Sequence, residues 1–298
     1  MTMLTITEAF RKFKHRLELN DKEQADASRR QKEIRAHMDE KFDVDTDFLT
    51  GSYKRWTKTK PLKDVDIFCV LGEKERHYRS KPPSVLLQAV ADTLAEKYGS
   101  DNVKVQRRSV SVDFRIAVTD DLTDYKVMSF DVVPAFAKDD HYEIPDTVSS
   151  SGWTETNPKV HEGKAVEAQR AYDGEWKGLV RMMKYWNNHH DKPLTPSFLV
   201  EVMALEILHQ PFGGSFDREM QGFFHALADR IDDEWPDPAG LGPAVSDSMD
   251  ATRRKKAREV LGAAGASATE AIRLTREDKI GAALQAWRKL FGPLFPLS

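Results

Sequence analysis

The sequence predicts an α+β protein of two lobes, in which a mixed sheet with helices is followed by an all-helical region. Between residues 42 and 136, short apolar or alternating runs typical of strands flank a helical pattern. After residue 161 every periodic segment has helical spacing. A polar stretch rich in Asp, Ser, Thr and Pro, residues 137–161, is the predicted crossing between the lobes. We therefore expect domains at 1–150 and 151–298.

The N-terminal region predicts one long helix over residues 5 to about 41. Thr5 and Glu8 have the spacing of a capping box at its start. Apolar residues are sparse along this segment, so we expect a strut on the surface of the fold rather than a core helix.

The periodic segments that follow predict the remaining elements. Strands are expected at 65–71, 110–116 and 128–134, and a helix at 85–98 that ends at Gly99. In the second lobe, helices are expected to begin near residues 176, 196 and 217, with one or two more running through 288.

Composition narrows the function classes. The 298 residues include 45 basic and 48 acidic side chains, a net charge of −3. A protein that coats duplex DNA is normally basic, so duplex nucleic acid is not an expected partner. No apolar run approaches the roughly 20 residues of a membrane-spanning helix. The N-terminus lacks the pattern of a secretory signal, and the single cysteine, Cys69, cannot form an internal disulfide, which together indicate a cytoplasmic protein.

Two aspartates in the first predicted strand carry the strongest chemical signal. Residues two apart in a strand point to the same face, so Asp64 and Asp66 present neighbouring carboxylates while Val65 and Ile67 enter the core behind them. Adjacent carboxylates repel each other unless a cation lies between them. Ligation by oxygen alone favours Mg²⁺ or Mn²⁺.

A third carboxylate from a neighbouring strand would complete a two-metal site. Asp131 and Asp113 both lie between apolar residues in predicted strands. Asp113 shares its face with Ser111 and Arg115, a polar row that we expect to face solvent, so we favour Asp131.

Gly51 and Ser52 precede this pair, with eleven residues between Ser52 and Asp64. Glycine lets the backbone approach a phosphate closely, and the hydroxyl and amide of Ser52 can donate to phosphate oxygens. We therefore interpret Gly51 and Ser52 as nucleotide-binding residues.

Taken together, these residues resemble the polymerase-β-like nucleotidyltransferase superfamily. More narrowly, the sequence resembles the bacterial CD-NTases, relatives of cyclic GMP-AMP synthase and oligoadenylate synthase. The resemblance covers about residues 49–205. It is carried by Gly51-Ser-Tyr-Lys-Arg, Asp64-Val-Asp-Ile, Phe130-Asp-Val-Val-Pro-Ala135, Gly152-Trp153, Thr156-Asn-Pro158, His161, Leu179 to Asn187 and Pro196-Ser-Phe-Leu-Val-Glu201.

The resemblance implies a polymerase-β-like core with an N-terminal spine helix, and a helical domain that completes the active-site cleft. It also implies that Asp64, Asp66 and Asp131 are catalytic and hold two Mg²⁺ ions, with Mn²⁺ as the alternative metal. Asp131 is then the best candidate to help deprotonate the acceptor hydroxyl.

Two residues of the helical lobe match family positions that contact the triphosphate, Lys184 and Ser197. Thr195 is the expected N-cap of a helix, which would place Ser197 in the first turn, where free amides favour an anion. Tyr53 and Trp153 could stack on a base or pack against the fold. Asn157 and His161 match the family without an evident role, and the basic run 253–258 is expected to be a solvated helix face.

The implied function is synthesis of a cyclic di- or oligonucleotide second messenger from nucleoside triphosphates, with release of pyrophosphate. Family resemblance extends this to bacterial anti-phage signalling, in which the product activates a separate effector protein. Two alternatives stay open: an enzyme that tails RNA or transfers AMP to protein, and a catalytically silent nucleotide or RNA sensor.

Overall fold

The computed structural model describes residues 3–60, 62–116, 128–208 and 211–298. The chain divides into two compact units. The α/β unit contains residues 19–162 and 239–242; the helical unit contains residues 1–18, 163–238 and 243–298. The predicted domain boundary at residue 150 lies within the α/β unit. Among the described residues, no helix is both long and apolar enough to cross a bilayer.

Seven strands form one mixed sheet in the described part of the α/β unit. They are β1 Val44–Thr50, β2 Asp64–Leu71, β3 Val103–Val105, β4 Val110–Asp113, β5 Ser129–Lys138, β6 His141–Pro145 and β7 Trp153–Thr156. The order along the main path is β1-β2-β5-β4-β3, and β6 and β7 continue from β5. Only β2 and β5 are parallel; the other pairs are antiparallel. The α+β class with a mixed sheet is thus confirmed.

The described residues also form ten α-helices. They are α1 Ile6–Arg16, α2 Asp21–Lys41, α3 Gly51–Lys54, α4 Pro83–Tyr98, α5 Pro158–Ala171, α6 Trp176–His189, α7 Ser197–Ile207, α8 Phe216–Arg230, α9 Ala251–Arg276 and α10 Ile280–Phe291. Helices α2 and α4 cover one face of the sheet, where alternate β2 residues such as Val65 and Ile67 are fully buried, as predicted. The helical unit has its own core, centred on Trp176, Trp186 and Trp287.

The N-terminal segment forms two helices instead of the one predicted. Asn20 caps α2: its side chain accepts from the amide of Glu23, whose carboxylate accepts from the Asn20 amide. This second capping box ends α1 and starts a new helix. The strut interpretation is also wrong for α1, because Ile6, Phe10 and Phe13 are buried in the helical unit.

The stretch 137–161 likewise differs from the expected polar crossing. It contains the end of β5 and strands β6 and β7. Tyr142 and Ile144 alternate inward, while Lys138, Glu143 and Glu155 pair across the strands. The strands contain few inward-facing apolar residues and many charged outward-facing ones. Their composition is therefore like that of a loop, and the strands were not predicted.

Candidate active site

Two rows of polar side chains lie next to each other on the sheet face opposite α2 and α4. In the first row Asp66 is in register with Asp131, and Asp131 with Ser111. In the second row Asp64 is in register with Ser129, and Ser129 with Asp113. Residues that are in register on neighbouring strands share a face. The sheet therefore brings the three predicted carboxylates, Asp64, Asp66 and Asp131, to one end of one face.

Gly51 lies directly against Asp66. The glycine has a φ of +66°, and a Cβ built on it would be 1.6 Å from Oδ2 of Asp66. Both the backbone conformation and the contact therefore require glycine. Helix α3 begins at this residue, so Ser52 follows directly after the glycine that contacts Asp66.

Asp64 has two polar neighbours that sequence reasoning missed. Ser129 Oγ lies 2.8 Å from Oδ1 of Asp64, and Lys58 Nζ lies 3.4 Å from Oδ2. Partial burial raises the pKa of Asp64, but the charge of Lys58 and the hydrogen bond from Ser129 outweigh this, and the net effect lowers it. Asp64 is therefore ionised at neutral pH.

Asp131 is in the opposite situation. Burial first, and then the negative charge of Asp66, raise the pKa of the Asp131 carboxyl from 3.8 to about 6, although Ser111 donates a hydrogen bond to it. Within the described part of the chain, its Oδ1 is buried and has no hydrogen-bond partner. A buried carboxylate oxygen without a partner costs free energy, so this oxygen lacks a cation or a donor.

These side chains fit a divalent metal by their chemistry. The donor set is all oxygen, and the orphaned Oδ1 of Asp131 is directed to the face that Asp64 and Asp66 share. As the side chains stand, no group of three His, Cys, Asp or Glu residues among those described is arranged to hold a metal ion.

Asp113 also belongs to this face, and the expectation that its polar row faces solvent holds for Asp113 and Arg115 but not for Ser111. Ser111 in that row is buried and donates to Asp131. The Asp113 side chain is exposed, and its Oδ1 accepts from the amide of Arg115 at 2.7 Å. Asp113 is thus at the outer end of the second row, separated from Asp64 by Ser129.

Both candidate base-stacking residues pack against the fold. Tyr53 is half-buried beside the core of the α/β unit, and burial raises the pKa of its phenol. Trp153 lies against Phe136, and the guanidinium of Arg79 is 4.6 Å from its ring centroid. Their contacts account for both rings structurally.

In the helical unit, Lys184 forms a buried ion pair. Its Nζ is 2.5 Å from Oε1 of Glu201, and both side chains are 5% exposed or less. Arg181, one turn earlier on α6, likewise pairs with Glu18 at 2.7 Å. Ser197 is exposed at the first residue of α7, and Pro196 is the N-cap instead of the expected Thr195.

Two of the unassigned features have structural roles. Asn157 immediately precedes α5, and its Nδ2 donates to the carbonyl of Asp140 at 3.0 Å. In the basic run 253–258, Arg254 donates to the carbonyls of Ile231 and Asp233, just beyond the end of α8. Part of the run is therefore a helix-capping contact and not a solvated face.

Comparisons with known proteins agree with this geometry. Residues 3–168 match the family described as the Second Messenger Oligonucleotide or Dinucleotide Synthetase domain. Over 272 residues, 83% of this chain and 81% of the relative, the chain is 27% identical to a probable cyclic nucleotide synthase of Bacillus cereus strain VD146. Over 274 residues, 84% of this chain and 73% of the relative, it is 28% identical to the cyclic AMP-AMP-AMP synthase of an Acinetobacter species.

Solved structures show the same fold. CdnC of Escherichia coli MS115-1, determined with ATP, superposes with a TM-score of 0.73 at 19% identity, covering 98% of this chain and 99% of that one. The Vibrio cholerae cyclic AMP-GMP synthase DncV superposes with a TM-score of 0.65 at 14% identity, covering 84% and 69%.

Proposed function

The chain belongs to the family of second messenger oligonucleotide or dinucleotide synthetases, the bacterial CD-NTases, and from this premise we propose that it condenses nucleoside triphosphates into a cyclic di- or oligonucleotide. Pyrophosphate is the leaving group. The observation that supports this most directly is the register of Asp66 with Asp131 beside Asp64, with Gly51 against Asp66.

The CD-NTases are metal-dependent nucleotidyltransferases, and we propose that Asp64, Asp66 and Asp131 hold two Mg²⁺ ions here. When bound, such ions lower the pKa of an acceptor hydroxyl and neutralise charge on the α-phosphate. We propose that Asp131 also helps to deprotonate the acceptor hydroxyl, since it lies in register with Asp66 on the same face. Ser129 holds the Asp64 carboxylate in place for ligation.

Gly51 and Ser52 would bind the phosphates of the donor nucleotide. The absence of a side chain on Gly51 lets its backbone contact phosphate, and Ser52 supplies a hydroxyl and an amide. We also propose a triphosphate contact for Ser197, which is exposed at the start of α7. Lys184 would reach a triphosphate only by exchanging its present partner, Glu201, for phosphate oxygens. We also propose Tyr53 as a secondary nucleotide contact, through the part of its ring that packing against the core leaves accessible.

Family membership also supports the biological role. We propose that the cyclic product is a second messenger that activates a separate effector protein in bacterial defence against phage.

The test is product analysis. Purified protein is incubated with each labelled triphosphate and Mg²⁺ or Mn²⁺, and the products are treated with phosphatase. We expect small labelled products that resist phosphatase. If label is found only on added RNA or protein, the enzyme tails RNA or transfers AMP to protein and does not cyclise. If nothing turns over with either metal, the protein is a catalytically silent sensor.

Matched variants separate chemistry from folding. Asp64→Asn combined with Asp66→Asn should abolish product while the circular dichroism spectrum stays unchanged. Asp113→Asn alters an exposed carboxylate on the same face and should retain activity. Equal loss in both proteins would contradict the assignment of the metal ligands.

A further inference from the structure

Trp56 has a backbone conformation that its side chain disfavours. Helix α3 ends in a Schellman-type turn: the amide of Trp56 donates to the carbonyl of Tyr53 at 3.1 Å, and that of Thr57 to the carbonyl of Ser52 at 3.0 Å. In such a turn, the residue that donates the first of these bonds adopts a left-handed conformation, for which glycine is the usual choice. Here it is tryptophan, with a φ of +60°. A bulky residue in this region is strained.

The strain has no compensation from burial. Trp56 is 54% exposed, and no other Trp, Tyr or Phe side chain among the described residues is exposed. Its neighbours Arg55 and Thr57 are buried, so the turn is fixed on both sides of an outward indole. Strained residues that persist in a well-fixed setting are typical of functional sites.

The turn belongs to the candidate active site on both sides. The hydrogen bond from Thr57 ends on Ser52, which the proposed function places on the phosphates. Two residues after Trp56, Lys58 contacts Asp64. Trp56 is therefore part of the turn that links Ser52 to Lys58, next to the candidate site in the chain.

We propose that the indole of Trp56 is a stacking surface for the base of the nucleoside triphosphate bound at Gly51 and Ser52, and that it contributes to base preference. The inference rests on the proposed function. Base stacking on an aromatic ring tolerates every base and is stronger for the larger π-face of a purine.

Three variants separate stacking from folding. Trp56→Phe keeps an aromatic ring, Trp56→Ala keeps the strain without the ring, and Trp56→Gly removes both. We expect a non-hydrolysable ATP analogue to bind at least about fivefold more weakly to the Ala and Gly variants and within about twofold of wild type to the Phe variant. A UTP analogue should lose less than the ATP analogue. The midpoint of thermal unfolding should rise by about 2–4 °C in the Gly variant alone.

Fluorescence gives a direct readout. The four tryptophans of the helical unit are fully buried, so the difference in acrylamide quenching between wild type and Trp56→Phe reports on Trp56. The ATP analogue should reduce this difference. Unchanged affinity in Trp56→Gly, or equal loss in the Phe and Gly variants, would overturn the proposal.

Binding and synthesis fail independently. A wild-type protein whose ATP affinity depends on Trp56 but which forms no phosphatase-resistant product would refute the proposed function and leave the stacking role intact. If the wild-type protein forms product and Trp56→Gly binds the ATP analogue with unchanged affinity, the stacking role is refuted and the proposed function stands.

Discussion

Asp66 occupies the space that a side chain on Gly51 would fill. Oδ2 of the aspartate lies 1.6 Å from the position of a glycine Cβ. A residue of the proposed phosphate-binding segment and a residue of the carboxylate group are thus fitted to each other within one unit of the fold. The eleven residues between Ser52 and Asp64 are the length of chain that lets β2 run back past the start of α3.

Gly51→Ala should therefore abolish nucleotide transfer. The methyl group would displace the Asp66 carboxylate, and the positive φ would add roughly 1 kcal/mol of strain. The matched control is Gly240→Ala, because Gly240 has a φ of +69° and no atom within 4 Å of the added Cβ. Urea unfolding should show the strain cost alone in Gly240→Ala and a larger loss of stability in Gly51→Ala, and only Gly51→Ala should lose product formation. Normal turnover by Gly51→Ala would contradict the contact.

Asp131→Asn should stabilise the metal-free protein at pH 8 while it removes activity. The pKa of Asp131 is raised to about 6 in the folded protein, against 3.8 ordinarily, so its ionised form destabilises the fold above pH 6. The effect disappears as the pH falls from 6 to 3.8. We expect a gain on the order of 1–2 kcal/mol at pH 8, after allowance for solvent screening, and none near pH 4. Urea unfolding across this pH range measures it, with Asp113→Asn as control; a loss of stability at pH 8 would refute it.

Lys184→Met should destabilise the helical unit by about 3–5 kcal/mol, because the Glu201 carboxylate would remain buried without this partner. Replacing Glu201 by Met in the same protein should recover most of that loss, since removing both charges removes the desolvation cost. Urea unfolding of the two single variants and the double variant completes a mutant cycle. Lys177→Met, at a half-exposed position on α6, is the control. Additive effects of the single variants would show that the pair is not coupled.

The Cys69 thiol should be inert in the native protein. It is buried in β2, and burial raises its pKa to about 12, so at pH 8 only about one molecule in 10,000 carries the thiolate. Ellman's reagent should react with the urea-unfolded chain and not with the folded one. Fast labelling of the native protein would show that β2 opens readily.

Sequence reasoning identified the carboxylates because the motif is local. Asp64 and Asp66 follow from the alternation of a strand, and the parallel register of β2 with β5 confirms that Asp131 shares their face. The same alternation places Ser111 and Asp113 on the face of β4 opposite Val110 and Val112. It does not tell which of the two faces the helices cover. That choice depends on α2 and α4, which pack on the valine side.

Contacts between residues far apart in the sequence could not be predicted from local patterns. Glu201 is 17 residues from Lys184, and nothing in the local pattern joins them. Ser129 is 65 residues from Asp64 and approaches it only through the pairing of β2 with β5. The division of the N-terminal helix was readable in principle, since Asn20 and Glu23 repeat the capping-box spacing of Thr5 and Glu8.

The placement of α1 constrains how the chain can fold during synthesis. Phe10 packs on Trp287 at a centroid distance of 4.9 Å, so α1 is completed by α10, a helix that is synthesised long after it. Residues 19–162, which hold the sheet, emerge in between and contain nearly all of their own unit. The sheet can therefore form early, while the apolar face of α1 is covered in stages as α6, α8 and α10 are made.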